Sequence, residues 1–225
     1  MKTLLKLLIC VSALFTQLTA IAQDDLQRPE NMPISSGEIE WLTFKDEIGE
    51  AKLSKKELSV KSKKSSYLFG GTKLPKPTMS YAKVPLNMKG DFYMSMTFEP
   101  SKVDSKTMFG VPFNVFNESD YNVIAFDDQF SYFLRVQKTN GLFLISDGDR
   151  VRYKYKKKKD KMWTVAIERR NGGDYVVYLN DIEVRTLSSS FEFNFPALGL
   201  WVDNKGELKA THYSFKQFSQ PTETE

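Results

Sequence analysis

The chain is poor in the residues that carry much of enzyme chemistry. Among its 225 residues there is one cysteine, Cys10, and one histidine, His212. Cys10 lies in an N-terminal segment that we expect to be removed, so the remaining chain has no disulfide, no thiolate nucleophile and no zinc–thiolate site. A lone histidine cannot build a histidine-rich metal site and gives little basis for a catalytic triad. His212 alternates with Tyr213 and Phe215, and we expect it to face solvent.

Long apolar runs are also scarce, and the one at the N terminus is too short to span a membrane. Residues 1–22, MKTLLKLLICVSALFTQLTAIA, place two lysines before an apolar core and the small-residue pattern AIA at the end. This order is typical of a secretory signal peptide, cleaved here near Ala22. We therefore expect an exported protein, periplasmic or secreted, without a membrane span.

The excess of positive over negative charge is small. The formal net charge is +4, and it falls to +2 without Lys2 and Lys6, because residues 1–22 contain no acid. The basic run GDRVRYKYKKKKDK at 148–161 alternates apolar Val151, Tyr153 and Tyr155 with basic residues. This alternation predicts a strand with a basic outer face rather than a disordered arm, so we expect no nucleic-acid partner.

Sustained helical spacing is absent, and short alternating segments take its place. FYMSMTF at 92–98, WTVAIE at 163–168 and YVVYL at 175–179 each put apolar residues on one face, so we expect Trp163 in the core. Predicted hairpin turns separate such segments. They are Asn140-Gly141, Asp147-Gly148, Asn171-Gly172-Gly173, Asn180-Asp181 and Asn204-Lys205-Gly206. This pattern predicts an antiparallel β domain over residues 37–218, with a flexible segment at 23–36 and a flexible tail at 219–225.

Four longer segments follow one another from residue 90 to residue 218. They are GDFYMSMTF, DYNVIAFDDQFSYFLRVQKTNGLFLI, MWTVAIERRNGGDYVVYLNDIEVRTL and ALGLWVDNKGELKATHYSFKQF. In this order they resemble the concanavalin A-like lectin/glucanase jelly roll, the group that includes laminin-G-like modules. The resemblance implies an all-β fold, a two-sheet antiparallel β-sandwich (jelly roll), in which EIEWLTF at 38–44 pairs with the terminal strand.

The resemblance implies less about activity, because enzymes, lectins and adhesion modules share this architecture. Glucanases of the group carry a Glu-x-Asp-x-(x)-Glu strand, and alginate lyases carry a Gln-x-His motif; neither string occurs here. We therefore expect no catalytic residues, and glycoside hydrolysis is the less favoured alternative.

Side-chain alternation indicates a candidate binding surface. In ALGLWVDN at 197–204, Leu198, Leu200 and Val202 share one face, which leaves Trp201 and Asp203 on the other. An exposed indole can stack on a sugar ring, whereas the alternative is that a loop or the N-terminal segment covers it. The same parity turns Phe133, Arg135 and Tyr93 outward. With the basic strand, the predicted ligand-binding residues are Trp201, Asp203, Phe133, Arg135, Tyr93, Arg150, Arg152 and Lys154.

Acidic pairs occur at Asp127-Asp128 and at Asp147/Asp149. Carboxylates at loop tips suit calcium, but the same residues are also typical of turns, and we favour the turn interpretation. We expect no cofactor, and calcium stays open. The leading hypothesis is a secreted, noncatalytic carbohydrate-binding module that prefers anionic glycans. The alternative is an envelope or extracellular protein-interaction domain.

Overall fold

The computed structural model describes residues 27–63, 78–139, 142–147, 150–153 and 161–218. These residues form β-strands and one short 3-10 helix at Ile34–Ser36. In chain order the strands are β1 (Met32–Pro33), β2 (Phe44–Lys45), β3 (Gly49–Leu53), β4 (Leu58–Ser62), β5 (Thr78–Lys83), β6 (Phe92–Pro100), β7 (Phe109–Asn117), β8 (Asp120–Phe126), β9 (Phe130–Thr139), β10 (Leu142–Asp147), β11 (Val151–Arg152), β12 (Trp163–Arg169), β13 (Tyr175–Leu179), β14 (Ile182–Leu187), β15 (Ala197–Val202) and β16 (Glu207–Gln217).

The strands form two antiparallel sheets. The nine-stranded sheet has the order β14-β13-β12-β6-β16-β4-β3-β2, and β1 also pairs with β16. The seven-stranded sheet has the order β10-β9-β8-β7-β15-β5, and β11 also pairs with β9. A large apolar core contains buried residues of both sheets. The chain is therefore a two-sheet antiparallel β-sandwich, as the sequence predicts.

The alternation within strands correctly assigns the inward residues of the nine-stranded sheet. Phe92, Met94 and Met96 of β6 are at most 1% exposed and belong to the core. Trp163 of β12 is 3% exposed and packs edge-on against Phe109 of the opposite sheet. The expected core position of Trp163 is confirmed.

The predicted turn chemistry also matches the backbone. Asn171, Asn180, Asp181, Asn204 and Lys205 have φ between 45° and 63°, the left-handed region that most side chains avoid. All five lie in predicted turns, so these three turns are confirmed. The predicted turns at Asn140-Gly141 and Asp147-Gly148 include residues outside the described ranges.

The N-terminal part of the chain differs from expectation. Met32 pairs with Tyr213 of β16, and Ile34 is only 2% exposed, so these two residues are packed rather than frayed. The predicted strand at 38–44 is wrong, because only its last residue joins a strand. Leu42 instead donates its N–H to the carbonyl of Tyr81 in the seven-stranded sheet, at 2.9 Å. This segment crosses between the sheets, so β1 occupies the place beside the terminal strand. The predicted signal peptide and the tail at 219–225 lie outside the described residues.

The basic run at 148–161 forms a short strand where it is described. β11 pairs with the start of β9, with Val151 opposite Ser131. Arg150 and Arg152 are exposed, whereas Tyr153 is buried and donates its hydroxyl to the carbonyl of Asp127 at 2.7 Å. The apolar-in, basic-out alternation is thus confirmed for residues 150–153. Lys154 lies outside the described residues.

Candidate functional site

Trp201 does not form an exposed platform. Leu198, Leu200 and Val202 face the main core as predicted, and Trp201 points to the other face of the seven-stranded sheet. That face is itself apolar and buried, and Trp201 is 0% exposed with its indole N–H donating to the hydroxyl of Tyr121 at 3.3 Å. The prediction of an exposed stacking indole is wrong, because this sheet buries apolar side chains on both faces.

Asp203 is a turn residue rather than a ligand contact. Its side chain is 3% exposed, and one carboxylate oxygen accepts the backbone N–H of Met108 at 2.7 Å. Its backbone N–H donates to the carbonyl of the same Met108 at 3.1 Å. A buried carboxylate used in this way holds the β15–β16 turn against the start of β7. It has no surface left for a ligand, so the predicted binding role of Asp203 is wrong.

Tyr93 lies in the other sheet, away from Phe133. It turns away from Phe92, as its parity predicts, but it is only 6% exposed. The guanidinium of Arg28 lies over its ring at 5.1 Å and over the ring of Tyr178 at 4.5 Å. Burial raises the pKa of the Tyr93 hydroxyl. The N-terminal segment therefore covers this surface, and Tyr93 is not an accessible stacking residue.

The carboxylate of Asp127, in the first acidic pair, makes the hydrogen bonds of a turn residue. One carboxylate oxygen accepts the backbone N–H groups of Gln129 and Phe130 at 2.6 and 2.7 Å, and the other accepts the hydroxyl of Tyr132 at 2.6 Å. The turn interpretation is confirmed for this residue. Among the described residues, no group of three or more His, Cys, Asp and Glu side chains is arranged to hold a metal ion. His212 is exposed, as expected.

Phe133 and Arg135 line a cleft of about 780 Å³ on the inner face of the seven-stranded sheet. They lie on the face opposite to Trp201: Phe133 pairs with Ile124 of the main core, whereas Tyr132 and Trp201 belong to the second apolar cluster. The predicted grouping of these residues with Trp201 is therefore wrong. The residues that line the cleft are Asn114, Phe116, Asp120, Tyr121, Asn122, Phe133, Arg135, Ser190, Phe191, Glu192, Phe193 and Phe195.

A row of polar side chains crosses three strands at the cleft. Asn114 of β7 pairs in register with Asn122 of β8, which pairs with Arg135 of β9. Residues directly opposite each other share one face, so the three side chains lie side by side. The side-chain N–H of Asn114 donates to the side-chain oxygen of Asn122 at 2.8 Å. The Asn122 amide and the Arg135 guanidinium, whose side chain is 53% exposed, both line the cleft.

A β-bulge in β7 turns Asn114, the first residue of this polar row, toward the cleft. The register with β8 shifts between Pro112 and Asn114, so Phe113 is the extra residue. Phe113 is 0% exposed in the main core, while Val115 belongs to the second apolar cluster. A β-bulge of this kind re-aims the side chains beyond it. It lets Phe113 and Asn114, although consecutive, both contribute to the inner side.

The connection between β14 and β15 forms the other wall of the cleft. Asn114 holds it, because its side-chain oxygen accepts the backbone N–H groups of Asn194 and Phe195 at 3.2 and 2.9 Å. The carbonyl of Phe195 accepts the N–H of Val115 at 2.8 Å. Phe193 anchors the middle, since it is 3% exposed and packs edge-on against Phe113 at 4.9 Å. The wall is thus fixed by backbone bonds at one end and a buried ring in the middle.

Three phenylalanines of the cleft are exposed to solvent. Phe116 is 56% exposed, and Phe191 and Phe195 are each 42% exposed. The rings of Phe116 and Phe195 are 4.9 Å apart, and those of Phe133 and Phe191 are 5.2 Å apart. Among the residues whose side-chain burial the structure describes, five large apolar side chains are exposed, and these three are among them. Single exposed apolar residues are ordinary, but three in one concavity make the cleft a candidate binding surface.

The charged groups of the cleft include both signs. The guanidinium of Arg135 lies 3.5 Å from the carboxylate of Asp120, an ion pair at the rim. Gln137 lies on the same strand and accepts from Arg135 at 2.9 Å when its amide is oriented to satisfy both groups. Glu192 is exposed on the wall between Phe191 and Phe193. The cleft thus lacks the one-sign field that would select a strongly charged ligand.

Two features of the sequence point to this site, although the alternation of side chains along a strand does not identify them. FEFNF at 191–195 alternates phenylalanines outside any predicted strand, and Asn122 interrupts the apolar run YNVIAF. A polar residue in an otherwise apolar strand indicates a partner or a ligand. The basic residues Arg150 and Arg152 are not part of the cleft. Arg150 instead lies over the ring of Phe130, at 4.8 Å, at the start of β9.

Comparisons with known proteins bear on the fold. No protein-family model matches the chain, and no curated protein sequence does. Among solved structures, a sialidase aligns over 84% of this chain with a TM-score of 0.50 and 10% identity, but over only 18% of its own length. The binding domain of botulinum neurotoxin DC aligns over 83% of the chain and 45% of its own (TM-score 0.49, 16% identity). The CBM66 carbohydrate-binding module from Bacillus subtilis aligns over 82% and 99% (TM-score 0.45, 13% identity). The sialidase match supports the β-sandwich fold and nothing finer.

Along the part of the chain that the structure describes, no helix is long and apolar enough to cross a membrane.

Proposed function

We propose that the chain is an exported, noncatalytic carbohydrate-binding module of the concanavalin A-like type and that the cleft at the end of the seven-stranded sheet is its binding site. The observation that carries the proposal is the exposure of Phe116, Phe191 and Phe195 around a row of amide and guanidinium groups. Ligand sites are concave, largely apolar and equipped with a few convergent polar groups. The cleft has each of these properties.

Sugars suit this combination better than most other ligands. The C–H face of a sugar ring packs on an aromatic ring, and its hydroxyl groups need donors and acceptors at the ring edge. Here the phenylalanines supply the apolar surfaces, while Asn122 and Arg135 supply donors. The carboxylates of Asp120 and Glu192 supply acceptors on the same cleft. A hydroxyl-rich ligand can therefore satisfy both kinds of group at once.

The charges of the cleft favour a neutral glycan. Two carboxylates and one guanidinium line it, and the guanidinium already faces Asp120. The anionic preference predicted from the sequence depends instead on Arg150, Arg152 and Lys154, of which the structure describes the two arginines. Arg152 pairs with Phe130, five residues from Arg135 along β9, which corresponds to roughly 17 Å in an extended strand. A preference for anionic glycans would need a ligand long enough to reach from the cleft to this pair.

The test is binding of residues 23–225 to an array of neutral and anionic glycans, followed by calorimetry with the best ligand. We expect Phe195→Ala to weaken binding about 3- to 10-fold, the loss of one aromatic contact. Ile182→Ala is the matched control, because Ile182 is 51% exposed but lies outside the cleft. Equal loss in both variants would overturn the assigned site.

Two further outcomes would replace the proposed function. Silence across the array, together with a protein partner whose binding Phe195→Ala abolishes, would make the cleft a protein-docking surface, the use to which exposed apolar patches are also put. Release of reducing sugar from a bound glycan, lost when Asp120 or Glu192 is replaced by its amide, would make it an active site.

A further inference from the structure

The exposed aromatic rings of the cleft form two separate pairs. Phe133 of β9 lies against Phe191, and Phe116 of β7 lies against Phe195. β7 and β9 flank β8, so across the sheet the two pairs are separated by two strand spacings, about 10 Å. Phe133 pairs with Ile124, whereas Phe116 follows Val115, which pairs with Tyr121, so the pairs are also offset along the strands. On the opposite wall, four residues separate Phe191 from Phe195, which limits the distance between their Cα atoms to about 14 Å. The two walls are therefore compatible with a separation of about 10–14 Å between the aromatic pairs.

The wall between the pairs is fixed by packing. Phe193, midway between Phe191 and Phe195, is buried and stacks 5.9 Å from Phe191 at an interplanar angle of 13°. At the other end, the side-chain oxygen of Asn114 accepts the N–H of Phe195. The two exposed rings are consequently held at a defined separation instead of closing on each other.

Polar groups occupy the space between the two pairs. Asn122 lies on the middle strand, with Asn114 on one side of it in register and Arg135 on the other. Across the cleft the order is therefore aromatic, polar, aromatic. A single sugar ring can lie against one aromatic pair only, because the second pair is a further 10 Å away or more.

We propose that the cleft binds an internal stretch of an oligosaccharide chain of at least two sugar rings. This inference rests on the proposed carbohydrate-binding function. One ring lies against Phe133 and Phe191, another lies against Phe116 and Phe195, and hydroxyl groups between them meet the polar row. The affinity of the cleft therefore depends on the length of the oligosaccharide. The cleft does not recognise a single terminal sugar.

The test measures affinity for a series of oligomers, from the monosaccharide to the hexasaccharide, of the glycan that gives the highest array signal. We expect affinity to rise by about tenfold or more until both aromatic pairs are bridged and then to level off. Phe191→Ala and Phe195→Ala are each expected to flatten this rise, because each removes one of the two ring contacts. Ile182→Ala, outside the cleft, is expected to leave the rise unchanged.

The outcomes separate this inference from the proposed function. A monosaccharide that binds as tightly as the longest oligomer would overturn the two-subsite inference and leave a glycan-binding function in place. Binding that increases with length but is unaffected by Phe191→Ala and Phe195→Ala would also overturn it. No binding by any member of the array would overturn the proposed function itself. Circular dichroism of each variant confirms that the comparison is made between folded proteins.

Discussion

The two faces of the seven-stranded sheet both carry aromatic side chains, and they differ in access to solvent. On the outer face, Trp201 and Tyr121 are at most 2% exposed and bond to each other. The inner face is different where the cleft opens, because the β14–β15 connection packs over it and places Phe191 and Phe195, each 42% exposed, beside polar groups. The same residue class therefore stabilises the fold on one face and is available to a ligand on the other. Exposure and polar neighbours distinguish the two roles, and aromatic content does not.

The largest expected effect is at Trp201. Trp201→Ala removes a fully buried side chain, and we expect a loss of about 3–5 kcal/mol in the free energy of unfolding, because a cavity replaces the packed indole. Urea denaturation measures this loss. Glycan affinity per folded molecule should stay the same, because Trp201 does not line the cleft. If Trp201→Ala does not fold, Trp201→Phe serves instead. Full stability with lost binding would restore Trp201 as a ligand contact and reverse the comparison.

The next largest effect tests the anchor of the cleft wall. Asn114→Ala removes the acceptor for two backbone N–H groups and should lower the free energy of unfolding by about 2 kcal/mol. Glycan affinity should fall as well, because the wall that carries Phe195 is no longer held. Asn114→Asp keeps an oxygen acceptor for the same N–H groups and should retain most of the affinity. Equal loss of affinity in both variants would mean that Asn114 acts through its own contact with the ligand.

Tyr121 gives a pH-dependent test of the buried face. Burial raises the pKa of its hydroxyl well above the usual value of about 10, although the bond from Trp201 opposes the rise. The neutral form is the folded one, so its contribution to stability is complete below about pH 10 and is lost as the pH rises from there toward the raised pKa. Tyr121→Phe should cost about 1–2 kcal/mol at neutral pH, because the indole N–H loses its acceptor.

Above pH 10 the free energy of unfolding of Tyr121→Phe should decline less steeply with pH than that of the parent protein. Burial also raises the pKa of Tyr81, Tyr93 and Tyr175, so some decline will persist in the variant. Identical slopes in the two proteins would show that Tyr121 ionises without unfolding the outer face. Urea titrations at several pH values provide the measurement.

The smallest expected effect is at the basic strand. Arg150→Gln with Arg152→Gln should leave the affinity for a neutral oligosaccharide unchanged, because both residues lie outside the cleft. The same double variant should reduce the salt dependence of any binding to an anionic glycan. Salt-independent binding to every glycan would remove the basic strand from the recognition surface. A loss of neutral-glycan affinity in the double variant would extend the site along β9.

Much of the fold follows from local patterns. The alternation of β6 and β12 identifies inward residues such as Phe92 and Trp163, because their sheet has one strongly apolar face toward the core. Positive φ at Asn171 and Asn204 was predictable, because asparagine tolerates the left-handed region that hairpin turns need. By contrast, the segment at 38–44 has strand-like alternation but bridges the two sheets, and nothing local distinguishes the two uses.

Part of the candidate site also follows from the sequence. Phe133 and Arg135 were predicted to share a face and to contact a ligand, and the structure places both in one cleft. Their predicted companion Trp201 lies on the opposite face. Alternation states which residues of a strand share a face but not which face is inward, and in β9 and β15 both faces carry large apolar residues. The sequence correctly grouped the residues that share a face within each strand, but it did not correctly predict which face is exposed to solvent.

The sequence by itself predicted an antiparallel β domain, three confirmed hairpin turns and the face partners within each strand, because these depend on residues close along the chain. The two-sheet sandwich came from the resemblance to the concanavalin A-like group. Only the tertiary structure decided where the exposed aromatic rings meet. Phe116 and Phe195 are 79 positions apart, and their contact depends on the bulge in β7, the anchor at Asn114 and the burial of Phe193. Contacts at such separations arise from the packing of whole strands and loops, and no short pattern encodes them.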